Sequence, residues 1–99
     1  MSNSKLLNVV IRDTENVVFK GDVDRISSFN EVGRFDVYPM HANFISIINQ
    51  EISLYNKHEK IQEIKIEQAI MKVKQDNVRI FLGIETLFVE GNASSLSEE

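Results

Sequence analysis

The stretch from Gly33 to Asn43 constrains the fold of this chain most strongly. Within it, Phe35 and Val37 alternate with more polar neighbours, which is the period-two pattern of a strand that buries one face. Gly33 precedes the strand, where a residue that is free to adopt positive φ suits a turn. Pro39 is the only proline of the chain, and it ends the strand because it lacks an N–H for the ladder and fixes φ for a turn.

In the rest of the chain, short segments in which apolar and polar residues alternate are separated by residues typical of turns. This pattern predicts an all-β fold. We expect a two-sheet antiparallel β-sandwich of roughly eight to ten short strands. Helical spacing can be drawn through residues 61–68, but the density of β-branched residues there favours a strand. The predicted strands are Leu7–Arg12, Val17–Lys20, Val23–Phe29, Arg34–Tyr38, Phe44–Ile48, Ile52–Tyr55, Ile61–Glu67, Met71–Lys74 and Val78–Leu82. The positions predicted to be buried include Val9, Phe35, Val37, Val73, Val78 and Ile80.

Composition indicates one ordinary soluble domain. The chain has 99 residues, 42% of them apolar, which is enough for a single core. A net charge of −4 without a lysine-arginine cluster argues against nucleic-acid binding as the main task. No stretch approaches the ~18 apolar residues needed to span a bilayer, so we expect no direct insertion into lipid.

Motifs for catalysis, metal binding or cofactor binding are not predicted. The two histidines, His41 and His58, are seventeen positions apart on different loops, and the chain has no cysteine to join them as a ligand. His58 is interpreted as a solvated loop residue, whereas His41 either bonds to its own turn or contacts a partner. Ser46 with His41 and Asp36 can be drawn as a nucleophilic triad, but nothing supports it over chance. The glycines are isolated, so no phosphate-binding loop is expected.

The residue order of the central stretch resembles that of a known family. Gly33-x-Phe-x-Val-x-Pro-x-His-Ala, followed by the apolar pair Phe44-Ile45, is similar to the amino-terminal domain of the epsilon subunit of F-type ATP synthases. Residues 7–23 resemble the opening strand, turn and phenylalanine-x-glycine-x-valine sequence of that family. Residues 70–80 resemble its last hairpin, with Asn77-Val78 matching an asparagine-valine pair. The likeness extends from Leu7 to Gly83.

Several positions depart from the family pattern, which indicates a divergent member or a paralogue adapted to a different partner. In each case a residue of this chain replaces a proline, a glycine or an acid of the family. The departures are Thr14 for a proline, Arg34 for an acid, Met40 for the glycine before the histidine, Asn49-Gln50 for a proline-glycine turn, and Gln68-Ala69 for paired glycines.

The resemblance implies a non-catalytic rotor subunit of the central stalk, which joins the gamma subunit to the membrane c-ring and transmits torque for ion-coupled ATP synthesis or hydrolysis. The driving ion, proton or sodium, stays open. The implied location is cytoplasmic, peripheral on the inner face of the cell membrane through the ATP synthase complex. Two other functions stay open: a free-standing β-sandwich adaptor paralogue that binds another protein, and an unidentified small-molecule binder or enzyme.

The resemblance also implies two contact surfaces. On the gamma side the candidate residues are Met40, His41 and Asn43. On the c-ring side they are Glu31, Arg34 and Asp36. Since the c-ring loops of the family usually present an arginine, an arginine at position 34 would repel them. Either the cognate ring carries an acid, or Arg34 turns away and Asp36 or Glu31 supplies the negative charge, or Arg34 is simply a solvated strand residue.

The domain organisation follows from the pattern and the composition. We expect a short lead over residues 1–6, the sandwich domain over residues 7–89, and a disordered acidic serine-rich tail over residues 90–99. Residues 84–89 form either a final strand or an arm. The carboxy-terminal helical hairpin of most family members does not follow, because the natural protein is the short type or because the sequence is a piece of a longer one. Some relatives carry an ATP-binding sequence in that hairpin, so no nucleotide binding is expected here.

Overall fold

The protein is built from strands that alternate buried and exposed side chains. The computed structural model describes residues 5–40 and 43–83, which contain seven strands and no helix. The strands are β1 (Leu7–Arg12), β2 (Val17–Val23), β3 (Arg25–Phe29), β4 (Arg34–Val37), β5 (Phe44–Asn56), β6 (Glu59–Lys74) and β7 (Asn77–Leu82). The predicted all-β fold is therefore confirmed. The predicted final strand or arm at residues 84–89 lies outside the described residues, as does the predicted tail.

All seven strands belong to one continuous sheet in the order β2-β1-β7-β6-β5-β3-β4. Its first half contains β2, β1 and β7 with residues 69–74 of β6 and 44–49 of β5. Its second half contains β4 and β3 with residues 49–55 of β5 and 59–66 of β6. The two halves cover one shared apolar core, so the sheet is arranged as a sandwich whose layers are joined through β5 and β6.

The predicted count of eight to ten strands is too high for the described residues. Residues 44–48 and 52–55 were expected as separate strands but are both part of β5, and the same holds for residues 61–67 and 71–74 in β6. The polar residues between them do not break the ladder. Instead the register shifts between Asn49 and Gln50, where Glu67 of β6 is the extra residue. Such a bulge bends a strand while the pairing continues on both sides of it.

One strand pair departs from the predicted antiparallel arrangement. β1 and β7 run parallel, with Val9 opposite Val78 and Ile11 opposite Ile80. The sequence separation between these strands is large, so no short hairpin dictates their relative direction. The two hairpins of β5 to β7 have two-residue turns instead, at Lys57-His58 and Gln75-Asp76, and all four turn residues have positive φ. His58 is exposed in its turn, as predicted.

The core follows the period-two pattern of the sequence. Of the six positions predicted to be buried, all but one are buried, and Phe35 is half-buried. Phe35 still packs against the core and makes an edge-to-face contact with Phe44, with 6.3 Å between the ring centroids. The buried apolar residues are Leu7, Val9, Ile11, Val23, Ile26, Val37, Ile48, Ile52, Leu54, Ala69, Met71, Val73, Val78 and Ile80.

Candidate partner-binding surfaces

The candidate contact residues lie in the turn before the short edge strand β4, on the strand itself and in the connection that follows it. Glu31 belongs to the turn that enters β4, and Arg34 and Asp36 are on the strand itself. Met40 and Asn43 follow the strand, in the connection to β5. His41 lies between them but outside the described residues.

The entry turn presents Glu31 to solvent on a well-bonded loop. The side-chain oxygen of Asn30 accepts hydrogen bonds from the backbone N–H groups of Val32, at 2.9 Å, and Gly33, at 3.2 Å. Gly33 has φ of 145°, so the positive φ expected from its position before the strand is present. Glu31 is exposed and forms no ion pair with the described residues. It is therefore an available carboxylate at this end of the domain.

Asp36 is already compensated by groups of its own sheet. Its carboxylate lies 3.8 Å from the guanidinium groups of both Arg25 and Arg34, and it accepts a hydrogen bond from the hydroxyl of Ser27. Arg34 also donates to the Ser27 hydroxyl at 3.3 Å. The guanidinium of Arg25 stacks on the ring of Tyr55, 3.8 Å from its centroid. Of the three candidates on this side, Glu31 rather than Asp36 offers an uncompensated negative charge.

The connection after β4 is held by the turn between β6 and β7. The backbone N–H of Met40 donates to the carboxylate of Asp76 at 2.7 Å, and the backbone N–H of Gln75 donates to the side-chain oxygen of Asn43 at 2.9 Å. The two loops therefore cap each other. The Met40 side chain is free of these bonds and 75% exposed, whereas the Asn43 side chain is engaged within the domain.

The backbone of Met40 is strained, because it adopts a conformation that is unfavourable for a residue with a side chain. Its φ is 69°, in the left-handed region that favours glycine. Gln50, at the bulge of β5, has φ of 72°. These are two of the positions at which the sequence departs from a glycine of the family pattern. At both positions this chain combines a left-handed backbone with a side chain larger than that of glycine.

A network of charges that the sequence did not predict covers the second half of the sheet. Lys65 bonds to Glu51 at 2.7 Å and to Glu63 at 2.9 Å, and Lys60 also pairs with Glu63. The hydrogen bonds from Lys60 and Lys65 lower the pKa of Glu63 to about 2, and the bonds to Glu51 and Glu63 raise the pKa of Lys65. Glu51 of β5 lies opposite Lys65 of β6, whereas Lys60, Glu63 and Lys65 all belong to β6. The sequence signal was therefore limited to the order of these three charges along one strand.

The described residues contain no group of three or more histidine, cysteine or acidic side chains that is able to hold a metal ion. They also contain no helix with the length and apolar character to cross a membrane.

Comparison with known proteins agrees with the fold and with the resemblance of the central stretch. The family model described as the beta-sandwich domain of the ATP synthase delta/epsilon chain matches residues 6–83. The chain belongs to this family. The match covers all seven strands of the described residues.

Curated relatives with similar sequences are epsilon chains. The ATP synthase epsilon chain of Leptospira borgpetersenii serovar Hardjo-bovis is 27% identical over 96 residues, which cover 93% of this chain and 76% of that relative. The ATP synthase epsilon chain of Leptospira interrogans serovar copenhageni is 28% identical over 80 residues, which cover 81% of this chain and 62% of that relative. The chain thus spans between about three fifths and three quarters of the length of these relatives.

Solved structures share the fold at low sequence identity. A chain of the Euglena gracilis mitochondrial ATP synthase, in a structure of its OSCP/F1/c-ring part, has a TM-score of 0.72 at 14% identity and is matched over 99% of this chain and 66% of its own length. A chain from a structure of the central stalk and c-ring of the Tetrahymena thermophila mitochondrial ATP synthase has a TM-score of 0.65 at 9% identity. The match covers 82% of this chain and 66% of that chain. At these identities the likeness concerns the fold alone.

Proposed function

We propose that this chain is a non-catalytic central-stalk subunit of an F-type ATP synthase that joins the gamma subunit to the c-ring and transmits torque. The observation that carries the proposal is the family match over residues 6–83. The names of the curated relatives and the central-stalk origin of a structural neighbour support the same role. As part of that complex, the chain is peripheral on the cytoplasmic face of the membrane.

The architecture suits a part that transmits force between two partners. β5 and β6 run through both halves of the sandwich, and their pairing is continuous from Phe44 to Asn56 apart from two register shifts. A load applied to one half is therefore carried to the other through covalent strands and their hydrogen-bond ladder. The candidate gamma side is Met40, His41 and Asn43, which follow β4 in the sequence. The candidate c-ring side is Glu31, which precedes β4, with Arg34 and Asp36 on the strand.

Copurification tests the proposed role. A tagged copy of the chain, expressed in its own organism, is expected to bring down the gamma subunit and the c-ring, with the tag alone as the control. Recovery of an unrelated protein without either subunit would contradict the proposal and favour a free-standing adaptor.

The gamma side is tested most cleanly at Met40, because the capping bond uses its backbone and not its side chain. Met40→Ala should weaken gamma binding while the fold is retained, since it truncates an exposed contact side chain. Val32→Ala is the matched control, because Val32 is 90% exposed at the other end of β4. Equal affinity of the two variants for gamma would remove Met40 from this surface.

We also propose that the chain binds no nucleotide. Its described residues contain no phosphate-binding loop or metal cluster, and the two glycines with positive φ, Gly33 and Gly83, lie far apart in sequence. Titration calorimetry with ATP and Mg²⁺ is expected to give no saturable heat. Saturable binding at micromolar ATP would overturn this proposal without touching the rotor role.

A further inference from the structure

The first part of strand β5 is paired on one side only. Residues 44–48 pair with β6, but the ladder between β3 and β5 reaches Asn49 and no further, because β3 ends at Phe29 and the chain turns there into β4. In the described part of the chain, residues 44–48 therefore leave one row of backbone N–H and C=O groups without a strand partner. We call residues 44–48 the β5 edge.

The other open edges among the described residues carry charges. The outermost strand β2 contains Lys20 and Asp22, and the short outermost strand β4 contains Arg34 and Asp36. Residues 59–66 of β6, which pair with β5 alone, alternate several lysines and glutamates with apolar residues. The β5 edge reads Phe-Ile-Ser-Ile-Ile, without a charge or a proline. Since charges and prolines are the usual protection of an edge against a further strand, the β5 edge is the one suited to accept it.

The β5 edge also exposes apolar side chains at every second position. Ile45 is 68% exposed and Ile47 is 45% exposed, whereas Ile48 is buried and Phe44 packs against the core. The two exposed isoleucines therefore point to the same face of the sheet. Apolar side chains at the same spacing on an added strand would lie beside them and remove them from water.

A groove of about 420 Å³ lies along the β5 edge. Its lining includes Ile45 and Ile47 of the edge and Asn30, Glu31 and Val32 of the turn before β4. The side-chain oxygen of Asn30 accepts hydrogen bonds from two backbone N–H groups of this turn, which hold that wall of the groove in place. The volume is within the range of roughly 300–1,000 Å³ that is typical of binding clefts. A preformed groove thus accompanies the free backbone groups.

The groove contains a negative charge that the domain does not balance. Glu31 lines the groove, is exposed and forms no ion pair with the described residues. The β5 edge supplies no cation to it. Because opposite charges across an interface favour one partner over others, a bound strand with a lysine or arginine at this point would be preferred.

We propose that the β5 edge and its groove bind an extended strand of a partner protein, in which apolar side chains alternate and a lysine or arginine lies beside Glu31. In such strand addition, main-chain hydrogen bonds supply affinity and alternate side chains supply specificity. A second copy of this chain fits less well, because its own β5 edge is uncharged and leaves Glu31 unbalanced. The site goes beyond the proposed function, since none of residues 44–48 belongs to either candidate contact surface.

The experiment titrates the complete, isotope-labelled chain with a synthetic peptide of about eight residues, which is long enough for one strand. Valine and threonine alternate in the peptide, and a lysine at each end allows a contact with Glu31 whichever way the strand runs. We expect saturable binding with Kd below about 1 mM and slower hydrogen exchange of the amides in residues 44–48. A peptide of the same sequence with N-methylated backbone amides is the control, because it has no N–H donors for a ladder.

Two variants of the protein test the site independently. Glu31→Lys reverses the charge of the groove without changing the strand, and Ile47→Lys places a charge on the β5 edge itself. Each is expected to raise the Kd of the peptide about tenfold or more. The matched controls are Glu59→Lys, at an exposed carboxylate without an ion pair among the described residues, and Ile61→Lys, at an isoleucine that is also 45% exposed. Both controls should keep the Kd of the parent.

Several outcomes would overturn the proposal. No saturable binding below about 1 mM, or equal binding of the N-methylated peptide, would show that the β5 edge accepts no strand. Equal affinities of the two variants and their controls would place the peptide elsewhere. Sedimentation of the complete chain provides a further arm, in which a dimer that Ile47→Lys dissociates would make a second copy the occupant. Because these measurements use neither gamma nor the c-ring, a failure of the proposed rotor role stays distinguishable from a failure of this site.

Discussion

The carboxylate of Asp76 accepts a hydrogen bond of 2.7 Å from the backbone N–H of Met40, 36 residues earlier in the chain. The bond connects the turn between β6 and β7 to the loop that follows β4. Asn43 returns the contact by accepting from the N–H of Gln75. The loop that carries the proposed gamma-side residues is thus positioned by a turn that belongs to another part of the sequence.

Removal of this carboxylate should loosen the loop. Asp76→Ala is expected to lower the free energy of unfolding by about 1–2 kcal/mol, because it deletes a charge-assisted bond to a backbone N–H at an exposed site. Urea unfolding measures the change, with Glu59→Ala as the control at an exposed carboxylate without an ion pair among the described residues. Equal stability of the two variants would show that the bond contributes nothing to the fold.

Glycine at the two strained positions should stabilise the domain. Met40→Gly and Gln50→Gly relieve left-handed backbone at φ of 69° and 72°. Each substitution relieves about 1–2 kcal/mol of backbone strain, but the larger entropy of glycine in the unfolded chain offsets part of this. We therefore expect each variant to raise the free energy of unfolding by about 0.5–1 kcal/mol.

The control for these glycine variants is Gln62→Gly, because Gln62 is an exposed residue of β6 and is not among the residues with positive φ. Glycine there should destabilise the strand by about 0.5–1 kcal/mol. Thermal or urea unfolding compares the three. A loss of stability in Met40→Gly and Gln50→Gly as large as in the control would mean that neither position is strained.

The network around Glu63 predicts a pH dependence of stability. Its pKa is lowered to about 2 by Lys60 and Lys65, so its contribution is fully present above the unfolded value of about 4.3 and is lost as the pH falls through about 2. Glu63→Gln should therefore flatten the fall in unfolding free energy between those values. Because the group is exposed, added salt should reduce the difference.

Glu67→Gln is the control for this pH series, since Glu67 is exposed on the same strand and forms no ion pair with the described residues. Urea unfolding at several pH values between about 2 and 5 provides the measurement. The same slope for Glu63→Gln and for the parent would contradict the predicted role of the network.

Arg34 offers a test of the c-ring side. It balances Asp36 within the sheet, so Arg34→Glu places a second carboxylate next to Asp36 and leaves Arg25 as its cation. If Arg34 contacts its own ring, the reversal should weaken assembly with that ring, and more so at low salt. Glu31→Gln tests the exposed carboxylate of the turn separately, because it removes that negative charge and leaves Arg34 and Asp36 unchanged. Unchanged assembly of Arg34→Glu across the salt series would make Arg34 a structural residue of this sheet only.

Local pattern in the sequence was sufficient for the strands and their buried faces. The alternation of Phe35 and Val37 and of Val78 and Ile80 assigned each strand and its inner side, because burial on one face of a sheet repeats every second residue. Gly33 was correctly predicted to adopt positive φ, because this requirement is set by a single residue and its turn. The ordered motifs from Leu7 to Gly83 were likewise enough to indicate the family.

Only the tertiary structure decided how the strands are joined. Polar residues at Asn49-Gln50 suggested a break, but pairing with β6 on both sides holds the chain in one bent strand. The parallel pairing of β1 with β7, the bond from Met40 to Asp76 and the pairing of Lys65 with Glu51 all connect distant segments. These features depend on strand register, which is set by packing across the sheet and has no signature in the residues of one strand.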